Sequence, residues 1–159
     1  MLQEDKKMGA IYSESIRYVM LRPDALMGIL KYLEGTERLA VLEAITASFS
    51  NFGAKSVGRY VGMGNSETEG LLEKVVKKAD SFGWGIWEFD LDAKRLVLNV
   101  RNSPFAEGYG KSEKAVCAPI KGMFSAISRQ IFGNHVKVGE MECGAVTGYD
   151  YCKFVCIKD

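Results

Sequence analysis

Four cysteines, Cys117, Cys143, Cys152 and Cys156, all fall in the last third of a 159-residue chain. Thiols grouped this way admit three chemistries: disulfide formation, metal ligation, or burial as small hydrophobes. The stretch ECGAVTGYDYCKF sets Cys143 and Cys152 nine apart around a turn, where Gly148 can adopt backbone angles closed to other residues. A tetrahedral zinc site would need four ligands drawn from thiolate, imidazole and carboxylate, on elements that converge. Glu140, Cys143 and Cys152 flank this single turn. Cys117 opens the helix before it, where unpaired N–H groups and the positive end of the dipole favour a thiolate. CxxC pairs are absent, so spacing alone leaves metal and burial both open. Glu142 competes with Glu140 because both share a strand face with Val136 and Val138, and Cys156 shares a face with Cys152 and Phe154.

Other suggestive motifs fail on inspection. GYGKS ends like a phosphate-binding loop, but Phe105 stands where the first glycine is required. Around Gly62 two glycines begin a dinucleotide fingerprint, yet Glu67 occupies the third glycine position and the preceding element is helical. The single His135 begins a strand with no acid or nucleophile beside it in sequence, and reads as structural.

Positioning the thiols falls to a succession of elements. Ala10–Arg22 reads as a strand from its aromatic and β-branched residues. Pro23 and Asp24 start a helix, with Leu26, Ile29, Leu30 and Leu33 at helical spacing and Gly35 as its stop. A longer helix spans about Glu37 to Val61, where Gly53 and Gly58 would admit a close neighbour. Ser66 and Glu69 form a capping box for a third helix running to Phe82. WGIWEFDL and RLVLNVRN alternate as a hairpin, SPFAEGYGKSEK reads as a loop, and a helix runs from about Val116 to Phe132. HVKVGEME and YCKFVCI close the chain as a second hairpin. This order predicts an α+β fold, a twisted antiparallel sheet with packed helices, in one domain over 1–159.

Composition supports an ordinary globular domain, with 47% hydrophobic and 26% charged residues. The balance of 21 basic against 20 acidic residues provides no global field for nucleic acid or an anionic membrane. No apolar run reaches membrane-spanning or signal-peptide length, so a cytoplasmic protein without a membrane span is expected.

NSPFAEGYGKSEKAVCAPIKGMFSAISRQIFG, followed by VKVGEMECGAVTGYDYCKF, resembles the C-terminal signature of the 4-vinyl reductase domain family, and especially its small archaeal members. RYVMLRPDALMGILKYLE and the hairpin from Gly83 to Asn102 fit the same family. The resemblance implies the fold of ligand-binding domains in nitric-oxide signalling and Golgi-transport proteins, with an apolar pocket between sheet and helices. It also implies a structural zinc held by Cys117, Glu140, Cys143 and Cys152. Lys114, Lys121 or Lys153 would offset the negative charge of such a site. In the family the last two cysteines are usually eight apart; here Tyr149 adds a residue between Gly148 and Asp150. Trp84, Phe105 and Tyr109 are the expected pocket-lining residues. The function implied is binding or sensing of a small hydrophobic or aromatic ligand through a homodimer or a regulatory protein partner. The alternatives are a reductase or accessory factor in tetrapyrrole or pterin metabolism, and a ligand-free assembly scaffold.

Overall fold

The computed structural model describes residues 2–62 and 68–158. Its larger sheet is antiparallel, built from β4 (Ile86–Leu91), β5 (Arg95–Arg101), β6 (Val136–Glu142) and β7 (Tyr151–Lys158), in the order β4-β5-β7-β6. Register follows the alternation in the sequence. Trp87, Val100 and Cys152 form one cross-strand row, Phe89, Leu98, Phe154 and Glu140 a second, and Leu91, Leu96, Cys156 and Val138 a third. These rows carry most of the buried residues of the sheet. The opposite face bears Glu88, Asp90, Arg101 and Lys153, with an ion pair of 3.0 Å between Arg101 and Glu88.

Helix α5 (Ala118–Phe132) lies on the inner face. Its Ile120, Phe124 and Ile127 are buried, and the Phe124 ring packs against Phe89 and Phe154 at 6.5 and 6.2 Å. The long α2 (Gly35–Gly62) packs in turn on α5. Two glycines let these helices approach. A Cβ on Gly53 would collide with Met123 Sδ, and one on Gly122 would sit 2.5 Å from Thr46 O and 2.7 Å from Phe49 Cβ. Gly53 therefore admits the neighbour expected of it, whereas Gly58 faces open space. Helix α3 (Thr68–Ser81) buries Leu71, Leu72, Val75 and Ala79; its expected N-cap, Ser66, lies outside the described residues.

Several sequence expectations are corrected. Ala10–Arg22 is not one strand: β2 (Ala10–Ser13) and β3 (Ile16–Tyr18) pair through a two-residue turn, with Glu14 and Ser15 at φ 49° and 66°. Such a turn matches the twist of the flanking strands. With β1 (Gln3–Asp5) they form a second, three-stranded sheet, and Val19, Met20 and Leu21 remain exposed. The helix from Pro23 divides into α1 (Pro23–Gly28) and a 3-10 turn at Ile29–Tyr32, Leu33 is extended, and Gly35 begins α2 instead of stopping α1. SPFAEGYGKSEK is not all loop. Its first part is α4 (Pro104–Tyr109), capped by the Ser103 hydroxyl accepting from Ala106 N at 3.4 Å and ended by Gly110 at φ 80°. The closing hairpin also contains a single helical turn, α6 (Gly144–Thr147), which ends at Gly148 in the left-handed region.

The α2–α5 contact yields opposite expectations for two glycines. Gly122→Ala should cost about 1–3 kcal/mol through overpacking. Gly58→Ala, with open space and a helical backbone, should stabilise by about 0.5–1 kcal/mol. Thermal melts of the two variants check the sign of each.

Candidate metal centre

Two short connections set the geometry of the centre. Cys117 is the N-cap of α5, with Pro119 in the first helical turn, and its side chain makes no capping hydrogen bond. Cys143 is the N-cap of α6, again with its side chain uninvolved in capping. Both thiols are therefore free to turn toward the sheet. Cys152 meets them from the inner face of β7, opposite Val100. Gly144 permits the tight return, because a Cβ there would lie 2.6 Å from Tyr149 O. The additional Tyr149 is absorbed at the surface, where its ring stacks on Tyr151 at 5.8 Å.

Glu140 completes the group from β6, and a β-bulge decides which glutamate does so. Glu140 pairs with Phe154 on the inner face, but after the irregularity Glu142 pairs with Lys153 on the outer face. In unbroken alternation the two would share a face; the bulge separates them. Glu142 instead accepts a 2.6 Å hydrogen bond from the Tyr151 hydroxyl. Cys156 also stays apart. It is fully buried in the row with Leu96 and Val138, where burial pushes its thiol up.

The ligand atoms of Cys117, Glu140, Cys143 and Cys152 all lie within 4.8 Å of one another, and this group could hold a metal ion. Cys117 Sγ is 3.6 Å from Cys152 Sγ and 3.9 Å from Cys143 Sγ. An ion bound tetrahedrally by sulfur at ~2.3 Å would space the sulfurs by about 3.8 Å, so the cluster fits with little movement. Glu140 Oε2 accepts from Cys117 N at 3.2 Å, while the buried Oε1 has no hydrogen-bond partner among the described residues. An unpartnered buried carboxylate oxygen costs free energy unless something cationic meets it.

The protons of the cluster are shared unequally. Hydrogen bonds to Cys143 and Cys152, then burial, push the Cys117 thiol up. Hydrogen bonds from Cys117 and Cys143, helped by Gly144 N at 3.3 Å, pull Cys152 down to about 4. Burial first, then the charge of Cys143, pushes Glu140 up to about 9. Of the lysines considered as compensating charges, Lys121 borders a cleft together with Glu140, whereas Lys153 pairs with Glu142 on the outer face.

Ser103 escaped the sequence reading. The segment Asn102–Phe105 does four jobs at once. Asn102 takes φ 57° and donates from its backbone N to Asp150 O at 2.8 Å. Ser103 caps α4 and places its Oγ 3.4 Å from Cys117 Sγ. Pro104 starts the helix, and Phe105 packs edge-on against Trp84 with centroids 5.0 Å apart. The pairing of a Ser-Pro helix start with a later glycine was the available signal for α4.

A second feature is an apolar cleft of about 390 Å³ between β3, α2, α3 and the start of β4. Its walls include Tyr18, Phe49, Phe52, Phe82, Trp84 and Trp87. Of the aromatics expected to line a pocket, Trp84 does so, Phe105 backs it from the core, and Tyr109 borders a separate cleft near Lys111. Among the described residues, no helix is long and apolar enough to cross a membrane.

Residues 96–158 match the model of the 4-vinyl reductase (4VR) domain. No curated protein matches the chain. Its fold is shared with the phenol-responsive sensory domain of the transcription activator PoxR with phenol, at TM-score 0.73 and 19% identity, over 99% of this chain and 84% of that one. A vinyl-4-reductase family protein from Methanocaldococcus jannaschii aligns at TM-score 0.57 and 17% identity, over 86% and 90%. A trafficking protein particle complex subunit 3 from Naegleria fowleri, covalently bound to palmitic acid, aligns at TM-score 0.58 and 12% identity, over 86% and 95%. The matched span contains Cys117, Glu140, Cys143 and Cys152 together with the helix and strands that carry them, and through it the chain belongs to the 4-vinyl reductase domain family.

Proposed function

We propose that this protein binds a small apolar or aromatic molecule in the cleft between α2, α3 and β4, and that a zinc ion at the Cys117, Glu140, Cys143, Cys152 cluster braces the fold around it. The observation that carries this reading is the cleft itself: about 390 Å³ walled by aromatic rings, of a size for a single ring system. The shared fold with a phenol-responsive sensory domain supports it. Any signal would pass to a second copy of the chain or to a regulatory partner.

The donor set suits zinc, which accepts thiolate and carboxylate ligands without a geometric preference of its own. Four protein ligands close the shell, so the role is structural: the ion neutralises the buried thiolates and ties α5 to the terminal hairpin. Oε1 of Glu140 would gain the partner it lacks.

Elemental analysis should find one equivalent of zinc. Chelation should lower Tm by about 10 °C or more, the scale for losing ~4 kcal/mol of linked binding from a domain of this size. Cys117→Ser should abolish retention of the metal and Cys156→Ser should leave it intact. Full stability without any metal would remove the bracing role.

The metal-free protein should show a distinctive pH response. The depressed thiol of Cys152 contributes stability that is present above its ordinary 9.0 and is lost as pH falls toward about 4. The raised carboxyl of Glu140 contributes stability that is present below its ordinary 4.5 and is lost as pH rises toward about 9. The windows coincide and the signs oppose, so Tm should stay nearly level between about pH 5 and 8. Cys152→Ser leaves only the Glu140 contribution, and its metal-free Tm should fall as pH rises; thermal melts across that range check both slopes.

A further inference from the structure

The cleft is apolar within and cationic at its rim. Lys55 and Arg59, one helical turn apart on α2, and Lys78 on α3 all border it, and no carboxylate does so among the described residues. The Lys55 ammonium lies 4.9 Å from the centroid of the Phe52 ring, a wall of the cleft. Arg59 and Lys78 both reach the tight turn between β2 and β3. Arg59 Nη1 donates to Glu14 O at 3.3 Å and to Ser15 Oγ at 3.4 Å. Lys78 Nζ donates to Ser13 Oγ at 2.8 Å and sits 3.0 Å from Glu14 Oε1.

Glu14 is the one carboxylate paired with these rim cations among the described residues, and it also lies 3.7 Å from Lys74. One negative charge thus faces three rim cations, and two of the five guanidinium donors of Arg59 are occupied by the turn. A neutral ligand would leave this excess positive charge unused. An anionic group beside an apolar body would meet it, in a partly desolvated rim where charge-assisted hydrogen bonds are strong.

We propose that the ligand of the cleft is an anionic amphiphile: an apolar, ring-sized body seated against Trp84, Trp87 and Phe49, carrying one carboxylate, sulfonate or phosphate group that Lys55, Arg59 and Lys78 hold at the rim. This rests on the reading of the cleft as the ligand site and specifies the chemical class that the site selects. The turn at Glu14 acts as a tethered competitor, its carboxylate occupying part of the cationic rim until an external anion shares Lys78.

Anilinonaphthalene sulfonate and its uncharged parent, phenylnaphthylamine, share one ring system and differ by the anion. The chain's two tryptophans, Trp84 and Trp87, both line the cleft, so energy transfer from them to the naphthalene reports binding there. The sulfonate should bind roughly ten- to a hundredfold more tightly than the neutral probe, the span of a charge-assisted hydrogen bond. That ratio should shrink at high salt. Lys55→Gln, a rim substitution that leaves the core intact, should reduce the ratio without changing the affinity of the neutral probe. Glu14→Gln should raise it. Equal affinities in the unmodified protein would overturn the anionic class and leave the cleft as a ligand site. No energy transfer with either probe would overturn both.

Discussion

Burial of three sulfurs and one carboxylate at a single point is the constraint on which the C-terminal half depends. Each group alone would be an ordinary surface or core residue; together they form a concentration of polar atoms that apolar packing cannot satisfy. The surrounding backbone is arranged to serve it. Two helices begin at cysteines whose side chains are released from capping, a bulge turns one glutamate inward and the next outward, and Gly144 lets the hairpin close tightly on itself. Cys117 N bonds to Glu140 Oε2, so the start of α5 is already tied to β6 through a ligand side chain.

What could be read in the sequence divides along physical lines. Period-two alternation in 86–100 and 151–157 located the strands, because inward residues such as Leu98 and Phe154 are apolar on every turn of the pleat. The four cluster residues were legible through the family resemblance and their convergence at one turn, and Cys156 was rightly read as a small buried hydrophobe. The competition between Glu140 and Glu142 was not legible, since a bulge adds one residue without any compositional mark. Nor was the break at Glu14–Ser15. Neither residue is glycine, and both take positive φ because strand pairing on either side of the turn overrides local preference. Helix α4 was missed for a different reason: six residues with two glycines in or just beyond them read as loop unless the Ser-Pro start is weighed.

Ser103 shows how economically the segment before α4 is used. A hydroxyl that caps one helix also contacts the sulfur at the head of another. The two helix starts are therefore held in register with each other by one side chain. Phe105, two residues on, fills the space behind Trp84, so the same short segment links the thiol cluster to the wall of the aromatic cleft.

The same logic runs through α5 at larger scale. Its N-cap is Cys117, and little more than one turn later Gly122 lies against Thr46 and Phe49 of α2, with Met123 against Gly53. Phe49, Gly53 and Met123 are all walls of the cleft. The position of α2 is thus set by a glycine-mediated contact with no spare volume, and the position of α5 is set at its first residue by the thiol cluster. Interiors packed this closely do not deform continuously; a displaced helix must repack. Fixing the start of α5 therefore fixes the width of the cleft, although the cluster and the cleft share no residue. On this argument an ion with no chemistry to perform still has a functional consequence, because it holds the helix against which the α2 wall of the ligand site is seated.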